Sequence, residues 1–513
     1  MLVSRRRFVS LAASAACLAG LPKASRASRA RPRLVVLLVA EQFRSDYLDL
    51  FGNFLSPSPG GFRRLMEDGA YFPECQMAAT TFTSGSLATV STGAYPQLHG
   101  IVADSWYDRP SRKPVPAAPE ALQATTLAEQ IARADSGNRI FAVALDSRDA
   151  ALLAGQTEAD LFHRDATGQF MTRGKAENAD WLTAFNQANS PEKLRNAGWF
   201  ATGAKEGTPA LRTLTYNEAH PDDFLELYWS SWYGQKAQMD LVQQLIFQQK
   251  LGQGPGTDFL AVALGSSALL GYEVGADSPL MRDMVLHLDL EIQSLLVFLD
   301  RNLGPKNYSL AFTGAHGATR DPDGHRTALA IPGETVARTI EQALSARYDL
   351  RDRRTLYVER YLYPFVYLRL GELQKNYIDP REARAVAGEA ALTVPGVTGF
   401  YTSDGDCSHS GDWLRRFRNS FHAVRSGDLM LAYGPEHVED YGLGRGISYG
   451  SLYNYDTRVP LLLYGSPFET QEFETTIESV DLAPTLARAA GTAWPSSATG
   501  RVLGEALISA GEA

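Results

Sequence analysis

A chain of 513 residues is too long for one small core, and 44% hydrophobic with 21% charged content fits a globular, water-facing protein. Its formal net charge of −9 becomes −15 once the six basic residues of positions 1–30 are set aside. A body that acidic argues against nucleic acid or an anionic membrane surface as a partner.

The first thirty residues read as a processing segment. Arg5-Arg6-Arg7-Phe8 precedes an apolar, Ala-rich stretch from Val9 to Leu21 and then small residues near Ala24–Ala30. A basic start, a short apolar run and a small-residue exit predict a cleaved twin-arginine-type signal peptide, hence a periplasmic or secreted protein. The apolar run is too short to span a bilayer, so no transmembrane segment is expected after its removal. Cys17 leaves with the signal. Cys75 and Cys407 remain, and the sequence leaves open whether they form a disulfide or stay as two thiols.

Residues 33–40 (RLVVLLVA) form a continuous apolar run, the pattern of a parallel strand buried on both faces. The run ends at Glu41, which could pair with Arg44 or Arg148. A helix is predicted from Gly61. The stretch from Thr80 to Gly100 (TTFTSGSLATVSTGAYPQLHG) follows, with hydroxyl residues at a turn, an apolar-periodic segment and a second turn at His99-Gly100. Thr83 there is either a helix cap or a hydroxyl nucleophile above backbone N–H groups.

Further buried strands are predicted at 140–145, 259–264, 309–313 and 459–464, with helices over 283–299 and 480–490. The segment from about 156 to 250 reads as an insertion over one end of the sheet. A second insertion, from about 326 to 445, has its own strands near 362–370 and 428–433. Alternating strands and helices predict one doubly wound α/β domain over 31–513, with a mostly parallel central sheet flanked by helices.

The strand ends bring forward Glu41, Thr83, Asp146, Arg148, Ser267, Ala268, Ala315, His316 and Tyr449. The chain here resembles the alkaline phosphatase superfamily, in particular the threonine-nucleophile phosphatases and the nucleotide pyrophosphatase/phosphodiesterase group. The resemblance rests on VVLLVAEQFRSDYL, STGAYPQLHGIVADSWYDR, ALDSRDAALLAG, FTGAHG, RNSFHAVRSGD, YGSLYNYDTRVPLLLYG and SVDLAPTLARAAG, in that order along nearly the whole chain.

The resemblance implies the fold above, a nucleophile at Thr83, and six carboxylate or imidazole ligands for two zinc ions. Mapped residue by residue, those six positions hold Glu41, Ala268, Tyr272, Ala315, His316 and Tyr449, so only Glu41 and His316 keep a good donor. The substrate-binding positions, an Asn, a Lys and an Arg in such phosphatases, hold Asp104, Asp146 and Arg148. Two of these changes add negative charge, and a phosphate dianion would meet repulsion of several kcal/mol at about 4 Å inside a cleft.

The sequence therefore predicts an exported pseudoenzyme with a degenerate di-zinc site and no cofactor, which binds a small molecule or an envelope partner. The alternative is an active metal-dependent phosphomonoesterase or phosphodiesterase that uses zinc in a divergent site with Thr83 as nucleophile. Asp321, Asp323 and His325 form a further cluster close after His316, more in keeping with a solvated turn. His409 and Asp412 are weaker candidates still.

Overall fold

The computed structural model describes residues 31–57, 60–175, 180–319, 330–350, 354–435, 437–440 and 449–508. Its main sheet is built from β1 (Leu34–Ala40), β2 (Ala70–Gln76), β3 (Ile140–Val143), β4 (Asp160–Arg164), β5 (Phe170–Arg173), β6 (Asp258–Leu264), β7 (Tyr308–Gly314) and β8 (Arg458–Gly465). Their order across the sheet is β2-β8-β7-β1-β6-β3-β4-β5, and two short strands, Gln471–Glu472 and Ile477–Glu478, also pair with β2. The five strands β7, β1, β6, β3 and β4 run parallel. β8 is antiparallel to β7 and to β2, and β5 is antiparallel to β4.

The unbroken apolar run of β1 is explained by burial on both faces. Val35, Leu37 and Val39 enter one hydrophobic core, while Leu34, Val36, Leu38 and Ala40 enter the other. Each such buried aliphatic side chain contributes about 1.5–3 kcal/mol of apolar burial. The second core is closed by helices Trp232–Gln248 and Pro279–Asn302. The first is closed by helices Thr83–Thr92 (α1), Leu127–Ala134 and Leu482–Ala490.

The stretch expected to lie over the sheet's end is divided differently. Residues 160–173 supply β4 and β5, which lengthen the sheet itself, and Trp232–Gln248 packs in its helical layer. Between β7 and β8 a separate four-stranded sheet forms from Val358–Leu362, Phe365–Leu368, Leu429–Tyr433 and Val397–Thr402. Helices Gly333–Tyr348 and Pro380–Ala391 accompany it, and their buried residues join the first core. Among the described residues no helix is long and apolar enough to cross a membrane.

Register places the site. Ala40 of β1 pairs with Leu264 of β6 on one side and with Gly314 of β7 on the other. Glu41, Ser266-Ser267 and Ala315-His316 therefore leave three adjacent parallel strands at one edge, the carboxyl edge where open α/β sheets hold ligands.

Candidate active site

α1 supplies the hydroxyl. All ten of its residues are buried, and two of its threonines bond back to the helix: Thr89 Oγ1 to the Gly85 carbonyl at 2.9 Å and Thr92 Oγ1 to that of Ala88 at 2.6 Å. The helix stops at Gly93, whose φ of +68° suits glycine, with the Gly93 N–H bonded to the Thr89 carbonyl at 2.9 Å. Thr83 is its first residue and not its cap. Phe82 holds the N-cap position and offers no side-chain acceptor. That task falls to Asp104, whose Oδ1 accepts the Ser84 N–H at 2.8 Å.

Freed from capping, Thr83 Oγ1 lies 3.1 Å from His316 Nε2 and 3.2 Å from Glu41 Oε2. His316 Nδ1 is 2.8 Å from the Gly317 carbonyl, which can only accept. The ring proton therefore sits on Nδ1, and Nε2 presents a lone pair to Thr83. The one hydroxyl proton of Thr83 therefore faces two acceptors, His316 Nε2 and Glu41 Oε2. Burial pushes the Glu41 carboxyl well above its ordinary value, helped by the charges of Asp149 and Asp104 and opposed by Thr83 and Arg148. Burial lowers the His316 imidazole to about 4, so it is neutral at pH 7. Glu41 forms no ion pair with Arg44 or Arg148, the two partners open to it in the sequence. Arg44 pairs with Asp46 (Nε to Oδ1, 2.8 Å) and Asp277 (3.2 Å), and Arg148 with Asp149 (3.5 Å) and Asp146 (3.7 Å).

Two aromatic residues close this cluster. The Tyr449 ring stacks on His316 with centroids 4.7 Å apart and planes at 15°, and its hydroxyl donates to Asp104 Oδ2 at 2.8 Å. Tyr272 lies 5.7 Å from Tyr449, centroid to centroid. Burial pushes both phenols well above their ordinary range, so neither offers a phenolate near neutral pH. Ala268 is buried in the helix Ser266–Val274. Ala315 is buried directly after β7, its N–H bonded to the Ala40 carbonyl at 2.8 Å.

The structure thus brings Glu41, Thr83, Asp104, Tyr272, His316 and Tyr449 together. Arg148 lies half-buried nearby, its charge felt by Glu41. Asp146 does not join them: it is exposed, and its Oδ1 caps the helix Ser147–Ala154 by accepting the Arg148 N–H at 2.8 Å. Asp321, Asp323 and His325 lie outside the described residues. His409 stacks on Trp413, and Asp412 pairs with Arg415 and Arg416. Cys75 and Cys407 are both free.

Sequence reading missed Asp149, which is buried in the first turn of Ser147–Ala154. Burial pushes its carboxyl up to about 7, while Arg148 opposes the shift and the charges of Asp146 and Asp104 add to it. Its signal was available, since the third residue of such a turn points back toward the strand ends. Arg164 was missed too, being on a strand assigned to an insertion. With Thr215, Glu226, Trp229 and Tyr272 it lines a cavity of about 480 Å³ beside the site. Among the described residues, no group of three or more His, Cys, Asp or Glu could hold a metal ion.

The sequence profile of the type I phosphodiesterase / nucleotide pyrophosphatase family matches residues 35–438. The chain belongs to that family. Its alkaline-phosphatase-like fold is shown by the solved alkaline phosphatase PafA, which superposes with a TM-score of 0.81 at 22% identity over 93% of this chain and 99% of that one. In sequence, the chain is 24% identical to PafA of Elizabethkingia meningoseptica over 93% of its own length and 95% of the relative's. It is also 24% identical to alkaline phosphatase PhoV of Synechococcus elongatus, over 93% of each. Murine ectonucleotide pyrophosphatase / phosphodiesterase 5 shares the phosphodiesterase-family fold at a TM-score of 0.53 and 16% identity, over 90% of this chain and 95% of that one.

Proposed function

We propose that this family member is exported, keeps the fold and the nucleophile position, and acts as a ligand-binding pseudoenzyme without a two-zinc centre. The observation that carries this reading is the Asp104 carboxylate at the N-terminus of α1, bonded to the Ser84 N–H and the Tyr449 hydroxyl. Helix N-termini attract anions, and this one already holds an internal one. A phosphoryl group brought to Thr83 would meet that charge.

The donor set gives independent support. A two-metal centre needs several hard carboxylates and neutral imidazoles around a pair of ions about 4 Å apart. Of the six positions implied by resemblance, Ala268 and Ala315 offer no side-chain donor, and Tyr272 and Tyr449 offer only buried phenols. Glu41 and His316 both direct their donors at Thr83. These residues do not fit two zinc ions.

A solved variant of PafA is substituted at a Thr, at an Asn 21 residues later, and at a Lys and an Arg two apart. Thr83 and Asp104 have the first spacing, and Asp146 and Arg148 the second. On that alignment Asn and Lys have both become carboxylates, which favours a neutral or cationic ligand. The cavity beside Tyr272, with Asp223, Glu226 and Glu273 on its wall, is the place for one. Twin-arginine export of the chain is part of this proposal.

A second reading, hydrolysis of phosphate esters at a divergent zinc site, is favoured by the relatives named as alkaline phosphatases. Metal analysis of the purified protein, with turnover assays on 4-nitrophenyl phosphate and bis(4-nitrophenyl) phosphate, decides between the two. Zinc-free protein with no turnover is expected. Stoichiometric zinc with turnover abolished by Thr83→Ala would establish the hydrolase instead.

A further inference from the structure

We propose that this protein, a pseudoenzyme toward phosphate esters on the preceding reading, keeps Thr83 and His316 as a metal-independent nucleophile and general base for acyl transfer from small, neutral carboxylic esters. The geometry is that of an activated hydroxyl. Thr83 Oγ1 lies 3.1 Å from His316 Nε2 and 3.2 Å from Glu41 Oε2, and the Gly317 carbonyl, 2.8 Å from Nδ1, fixes the ring so that Nε2 faces the hydroxyl as an acceptor. The stacked Tyr449 ring holds the imidazole plane from the other side. Nucleophile, base and orienting group are thus in contact before any substrate arrives.

The surroundings select the electrophile. Asp104 and Asp149 bring carboxylates toward the site, with the Arg148 charge beside them, so an anionic ester is disfavoured. Tyr272 is shared with the cavity of about 480 Å³, where Leu227, Trp229 and Leu269 give an apolar wall for an aryl or short alkyl leaving group.

In the step itself, Thr83 Oγ1 bonds to the carbonyl carbon and its proton passes to His316 Nε2. The carbon–oxygen bond to the leaving group breaks, and the departing alcohol or phenol takes that proton. Water then attacks the acyl-threonine, gives one proton to His316, and releases the carboxylic acid as Thr83 recovers its hydrogen. No oxidant, reductant or metal enters the balance.

The test uses the full chain, pre-treated with EDTA, and 4-nitrophenyl acetate, with acetylated peptides mapped by mass spectrometry. The expected result is acetyl on Thr83, at a rate unaffected by EDTA. It should be abolished in Thr83→Val, which keeps the side chain's shape, and slowed about 10²–10⁴-fold in His316→Gln. Melting curves confirm that each variant is folded; should His316→Gln not fold, Thr83→Val and Thr83→Ser, which should keep labelling, carry the test. Acetylation confined to lysines, or a His316→Gln protein that labels Thr83 at the parent rate, would overturn the proposal. Zinc-dependent turnover of the phosphate esters would overturn the preceding pseudoenzyme reading, whichever way the acetylation falls.

Discussion

Tyr449 donates its hydroxyl to Asp104 Oδ2 at 2.8 Å, while Asp104 Oδ1 accepts the Ser84 N–H at the same distance. One carboxylate therefore links the N-terminus of α1 to the aromatic ring that stacks on His316. Helix capping, charge and the ring stacked on His316 are thus joined through one residue from the loop after Gly100.

The charge of Asp104 can be removed without removing its shape. Asn at this position still accepts the Ser84 N–H, so α1 keeps its cap. Two unit charges about 4 Å apart interact by about 4 kcal/mol at a surface-like dielectric, and less than half of that is a factor of ten in affinity. Asp104→Asn should bind inorganic phosphate at least about tenfold more tightly than the parent by isothermal titration calorimetry. Equal affinity would show that Asp104 is not what keeps anions out.

Asp149 sets a pH dependence of unusual sign for an aspartate. Burial raises its folded-state value to about 7 against 3.8 for the ordinary side chain. The folded chain then binds this proton more tightly than the unfolded chain. The associated stability is fully present below about pH 4 and is lost as pH rises through 7. Asp149→Asn should therefore raise the melting temperature at pH 8, by the equivalent of about 1–3 kcal/mol, with the gain shrinking steadily from pH 7 toward pH 4. Thermal scans across that range check it, and a gain independent of pH would point to packing instead.

The sheet was legible because its physics is local to each strand. β1, β6 and β7 are continuous apolar runs, and burial on both faces demands nothing else of them. β2 was not, because Pro73 and Glu74 interrupt it. They fall where its pairing with β8 shifts register between Val459 and Leu461, so an irregular edge absorbs what a regular strand could not. In the site, Glu41, Thr83 and His316 were found because each sits at a strand end or turn. The role of Asp104 was hidden, since the link from Asp104 to Ser84 and Tyr449 joins residues 20 and 345 positions apart and exists only after folding.

The turn after α1 offers a test of that local physics. Gly93 has φ +68°, and a Cβ there would lie 2.8 Å from Pro484 Cδ and 3.0 Å from the Val480 carbonyl oxygen. Gly93→Ala thus adds backbone strain to a contact that the helix Leu482–Ala490 cannot easily yield. A loss of about 1–3 kcal/mol in urea unfolding is expected, with the Thr83 environment otherwise intact. An unchanged midpoint would mean that the helix gives way at little cost.

The last prediction reverses the changes that resemblance brings out. Ala268→Asp, Tyr272→His, Ala315→Asp and Tyr449→His together replace two donorless side chains and two buried phenols by carboxylates and imidazoles around Glu41 and His316. The Tyr449 change also releases Asp104 from its hydroxyl partner and removes the ring stacked on His316. Because the strand ends Ala40, Leu264 and Gly314 are already aligned, Asp at 315 starts from the sheet's edge and the new donors at 268 and 272 from the helix Ser266–Val274 that follows it. The fourfold variant should take up about two zinc ions per chain by equilibrium dialysis and atomic absorption. Each fewer restored donor should lower affinity steeply, and the parent should retain none after dialysis. Zinc retained equally by parent and variant would mean that the parent's donors lie elsewhere, and the pseudoenzyme reading would fall with it.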